Sequence, residues 1–142
     1  MPNDPAHVAE TRAWFLKAAD DLRAGQTVLL AQPPLTADTT FHAQQLAEKA
    51  LKGFLTWYDQ PFRKTHNLVE VGQTCLEIDP SLQSLLGSAA ELTEYAWKFR
   101  YPGDPEEPTV QEVEEALALG REVYDAILAR LPAEVRPYMK PR

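Results

Sequence analysis

Arginine, lysine and histidine are the side chains in this sequence best suited to act on a phosphate group, and they fall in two places. His42, Gln45, Lys49 and Lys52 recur at spacings that bring them to one side of a helix, and Arg63, Lys64 and His66 follow within a short turn. Imidazole can move a proton near neutral pH, and guanidinium matches the geometry of a phosphate with two parallel bonds. Arg100 is the second place. It lies eighteen residues after Leu82, so an unbroken helix would turn five times and aim it along the line of Leu82, Ala89 and Thr93. An arginine on an apolar line needs a partner, which can be the helix's last carbonyls, an acid of a neighbouring helix, or an anionic ligand.

Apolar residues recur with helical periodicity in five stretches, and no segment alternates as a half-buried strand would. The chain is therefore expected to be all-α, an up-and-down bundle of about five helices around a four-helix core, in a single domain over residues 1–142 with a frayed tail from about 132. The first helix should start at Asp4-Pro5 and stop before Pro33-Pro34; the second should run from Thr36–Thr39 to about Tyr58. Asn67 and Glu70 have the spacing of a cap for a third helix ending near Glu77. Asp79-Pro80 opens a fourth, ended near Arg100 by Pro102, and Thr109 with Glu112 caps a fifth. Leu51, Phe54, Leu86, Leu117, Tyr124 and Ile127 form the expected core. Gly120 sits in the middle of the fifth helix's apolar stripe, where close approach of another helix would explain it. Gln44 falls on the apolar arc of the second helix and, if buried, must find hydrogen-bond partners. His42, Gln45 and Lys49 read as a solvated stripe, and Asp21, at the edge of the first helix's arc, reads as a solvated acid.

Antiparallel packing of consecutive helices would collect Lys52, Arg63, Lys64, His66, Lys98, Arg100 and Tyr101 at one pole of the bundle, beside two helix N-termini that favour anions, with His42 at the opposite pole.

Composition excludes several other classes. A net charge of −7, all of it matched by the Asp104–Asp125 segment with eight acids and Arg121, argues against a protein that coats nucleic acid. No run approaches the length of a membrane span, and the first residues lack the basic and apolar regions of a signal peptide. Cys75 is the single cysteine, which rules out an internal disulfide and suits a reducing cytoplasm. The three histidines and one cysteine have no metal-ligand spacing, and no cofactor is expected.

The runs "FHAQQLAEKALKGFL", "KTHNL" and "FRYPG" after "ELTEYA" resemble the HEPN domain family, from about Ala13 to Leu131 and in the family's order. The resemblance implies a helical bundle, a homodimer, and frequently a partnership with a minimal nucleotidyltransferase in toxin–antitoxin or two-part transferase pairs. Many members are metal-independent ribonucleases with an arginine followed four to six residues later by histidine. Here Arg100 is followed by no histidine at all, and Arg63 precedes His66 by three positions in a turn. The reading is thus a non-catalytic nucleotide-binding or partner subunit, with phosphate held by Arg100, Tyr101, Arg63, Lys64, His66 and Lys52. The alternatives are a ribonuclease built from His66 and Arg100, and an interaction bundle that docks through its acidic fifth helix.

Overall fold

The Asp4 carboxylate accepts the Ala6 amide and Pro5 follows it, which starts helix α1, Pro5–Leu29. In the computed structural model, which describes residues 4–103 and 106–137, α1 is followed by α2, Thr36–Trp57, and α3, Leu68–Ile78. A 3₁₀ turn at Pro80–Leu82 leads into the short α4, Gln83–Ala89, which tightens into a 3₁₀ segment over Ala90–Ala96. Helix α5 covers Val110–Ala129, and a last 3₁₀ turn spans Ala133–Val135. No strand occurs among the described residues. The caps expected at Asn67 and at Thr109 with Glu112 are formed, the latter as a reciprocal capping box.

Helix α2 is the centre of the bundle, packed along its length on α1 and α5 and covered elsewhere by α3 and the Ala90–Ala96 segment. Leu51, Phe54, Leu86, Leu117 and Ile127 are buried in one cluster with Tyr124 partly buried against it. The approach of α5 to α2 explains Gly120. A Cβ there would lie 2.8 Å from the Ala43 carbonyl oxygen, closer than packed atoms allow, and a tight 3.2 Å from Leu46 Cδ2.

Two expectations are corrected. The fourth helix does not persist to Arg100. It narrows to 3₁₀ geometry at Ala90, ends at Ala96, and Phe99 takes a left-handed backbone with φ of 69°. Three residues per turn replace 3.6 over that stretch, so the five-turn alignment of Leu82 with Arg100 is lost. The segment after Leu131 does not fray over its described part. Val135 is fully buried, the Ala133–Val135 turn packs on α1, and Arg12 donates from Nε (3.0 Å) and Nη2 to the Glu134 carbonyl. The rest of the tail, 138–142, lies outside the described residues.

Candidate functional site

The polar stripe of α2 is a covered seam between α1 and the chain that follows α2. Its centre is Glu48, only 3% exposed. One carboxylate oxygen accepts from Gln44 Nε2 at 3.0 Å and meets His66 Nδ1 at 2.8 Å, with Gln45 Nε2 at 3.4 Å; the other accepts from Lys52 Nζ at 3.1 Å. Lys52 is itself buried and donates also to the Thr65 carbonyl, and Gln44 donates to the His66 carbonyl. The buried Gln44 amide thus finds the partners its place on the apolar arc demands. Buried charge is tolerated only when paired and hydrogen-bonded in this way.

These bonds hold a strap of chain, residues 58–67, that leaves the end of α2 and doubles back along it. The strap is why the basic turn is not at the C-terminal end of α2. Thr65 lies beside Lys52, and His66 lies beside Gln45 and Glu48, in the middle of the helix. Antiparallel packing with short connections does not describe a ten-residue return. His66 keeps 60% of its side chain exposed while its Nδ1 is held by Glu48. That arrangement leaves Nε2 for solvent or a ligand.

A second buried acid lies on the α1 side. Asp21, with a side chain 9% exposed, places one oxygen 2.8 Å from His42 Nδ1 and the other 2.5 Å from Lys49 Nζ. Of the stripe expected to be solvated, His42 and Lys49 join the acid expected to be solvated in one ion-paired tie between α1 and α2, while Gln45 belongs to the Glu48 cluster. Polar spacing on a helix shows which residues share a face, not whether another helix covers that face, and Asp21 at the edge of an apolar arc was the available signal.

Arg100 is exposed, and its guanidinium carbon sits 3.8 Å from the centroid of the Phe41 ring, a stacking contact that fixes a cation without neutralising it. It makes no hydrogen bond or ion pair among the described residues. Phe41, Gln45 and Glu48 follow each other at four and three positions, so Arg100 and His66 stand over one line of α2, roughly 6 to 10 Å apart along its axis. The structure therefore brings Arg100 and His66 to one face, by way of Phe41, a residue the sequence reading did not single out. It does not bring the other basic candidates there as free cations. Lys52 is buried against Glu48, and Arg63 pairs with Glu70 at 2.6 Å. Lys64 is exposed beside them, and Tyr101 is exposed next to Arg100. His42 is not at a far pole from Arg100, because its ring meets the Phe41 ring edge-on at 5.5 Å.

No group of His, Cys, Asp and Glu among the described residues is arranged to hold a metal ion. No helix among them is long and apolar enough to cross a membrane.

The described residues thus form an all-α bundle whose central helix carries a buried polar seam, with an exposed arginine and an exposed histidine along it. The HEPN domain model matches residues 11–131, and the chain belongs to the HEPN domain family. Comparison with curated proteins and with solved structures gave no match.

Proposed function

We propose that this chain is a nucleotide-binding HEPN subunit that holds a phosphate group over α2 between Arg100 and His66. Nucleotidyl transfer, on this reading, is the work of a separate minimal nucleotidyltransferase, and the subunit acts as a homodimer in a two-component or toxin–antitoxin pair. The observation that carries it is the stacked guanidinium of Arg100, with no ion pair among the described residues, on the same line of α2 as the exposed imidazole of His66. A planar cation fixed by an aromatic ring is ready to donate to phosphate oxygens without first leaving an acid. Tyr101 and Lys64 stand at the margins of this face, while Lys52 and Arg63 support it through Glu48 and the strap. Calorimetric titration with AMP and ADP tests the reading. Binding should weaken as salt rises, and Arg100→Ala should reduce it tenfold or more, matching a charge-assisted bond of roughly 1.5 to 3 kcal/mol. Binding unchanged in that variant removes the site.

A second reading, metal-independent RNA cleavage, is favoured by one contact. Glu48 holds Nδ1 of His66 at 2.8 Å, the way a general base is oriented, and Arg100 would stabilise the charge developing on phosphorus. A fluorescent RNA oligonucleotide, cut by the wild type but not by His66→Ala or Arg100→Ala, would select this reading over the first.

A further inference from the structure

Asp21 does not need His42 for charge balance. Lys49 Nζ, 2.5 Å from one carboxylate oxygen, already neutralises the acid, yet the other oxygen is given to the imidazole at 2.8 Å. Holding Nδ1 fixes the ring's orientation and tautomer, with Nδ1–H donating to the carboxylate and Nε2 turned to other work. Nε2 of His42 has no partner among the described residues and is not one of the buried polar atoms left unsatisfied, so it reaches solvent. The ring is 24% exposed. Phe41 then links it to Arg100, since the guanidinium lies on the face of that ring at 3.8 Å and the imidazole at its side at 5.5 Å. His42 and Arg100 therefore cannot be further apart than those two distances combined. The arrangement on the strap side has the same parts, because Glu48 gives one oxygen to His66 and the other to Lys52.

We infer that His42 is a ligand-contacting residue of the Arg100 site, its Nε2 donating to or accepting from the same phosphate group, with Asp21 as its positioning residue. This rests on the nucleotide-binding reading above and adds to it a third contact, supplied by α2 itself and braced by Asp21 of α1 rather than by the strap. A nucleotide's phosphate then lies between a fixed cation and two imidazoles, each held by its own buried carboxylate. The alternative is that Asp21, His42 and Lys49 only tie α1 to α2.

The chain has three histidines, so ¹⁵N-labelled imidazole spectra of the full chain can follow each ring during titration with ADP. The expected result is a shift of the His42 Nε2 signal at saturating ADP and no shift for His7, whose Nε2 bonds the Trp57 carbonyl at 2.9 Å. ADP affinity should fall about fivefold or more in His42→Ala, and Asp21→Asn should weaken binding while leaving the His66 signal in place. If ADP binds, Arg100→Ala removes it, and the His42 signal does not move, the inference is overturned and the site reading stands. If ADP does not bind the wild type, or binds Arg100→Ala equally well, both fall. The wild-type spectra decide the matter even where the His42 or Asp21 variant is too unstable to measure.

Discussion

Replacing Glu48 with alanine asks whether one carboxylate holds the polar centre of α2 together. In the folded protein it takes Lys52, Gln44 and His66 as donors while almost fully buried. Its removal leaves the Lys52 ammonium, 6% exposed, with the Thr65 carbonyl as its remaining acceptor. Breaking a buried pair from one side costs about 3 to 5 kcal/mol, because the surviving charge stays desolvated. That is a large share of the roughly 5 to 15 kcal/mol by which a domain is stable. Urea unfolding should show a lowered midpoint with an unchanged slope in Glu48→Ala. The double variant Glu48→Leu with Lys52→Met should recover most of the loss, since replacing both charges by apolar groups of similar volume is often neutral or stabilising. Lys98→Ala is the control. It breaks a pair with Glu94 at the same spacing of four residues and a similar 3.1 Å, but on the surface, and should cost less than about 1 kcal/mol. A loss in Glu48→Ala no larger than in the control, or a double variant no better than the worse single one, would refute the reasoning.

Gly120→Ala should destabilise by roughly 1 to 3 kcal/mol, read by the same unfolding assay, because the steric conflict with the Ala43 carbonyl outweighs a helix-propensity gain of about 1 kcal/mol. Burial pushes the Cys75 thiol up to about 12 from an ordinary 9.0. Its contribution to stability is thus complete below the unfolded thiol's value and is lost as pH rises toward 12. Between about pH 9 and 11 the wild type should lose stability faster than Cys75→Ala, by up to roughly 1.4 kcal/mol per pH unit. Sedimentation should give a dimer, in keeping with the exposure of the large apolar side chains Trp97, Tyr101 and Val110, and a single concentration-independent 16.0 kDa species would exclude it.

The helices that carry the core were legible because each has a local signal at its start and a strong apolar period. Asp4-Pro5, Asn67 and the Thr109–Glu112 box act within a few residues of themselves, so nothing distant can mask them. Gln44 was legible as a problem, a polar residue on an apolar arc, though its solution was not. The site was harder to read for two reasons. The change to 3₁₀ geometry at Ala90 has no proline to announce it, and the one nearby glycine, Gly87, lies within α4; the change accompanies tertiary contacts, among them the Leu68 amide bonded to Thr93 Oγ1 at 3.1 Å. The course of the strap is likewise set by Lys52, Gln44 and Glu48, residues remote from it in sequence, and no rule of local turn chemistry contains them. Arg100 was singled out for a helical alignment that does not exist, and it reaches the same face as His66 by stacking on Phe41 instead.

Beyond Gln60, the backbone of the strap is attached to α2 through its carbonyls rather than its amides. Thr65 and His66 offer their carbonyls to Lys52 and Gln44, whereas no backbone amide from Phe62 to His66 finds a partner within the described residues. Amide hydrogen exchange reports only donors. The segment that delivers His66 should therefore exchange as quickly as an unstructured loop while its carbonyls stay anchored, and isotope uptake alone would misjudge how firmly the imidazole is aimed.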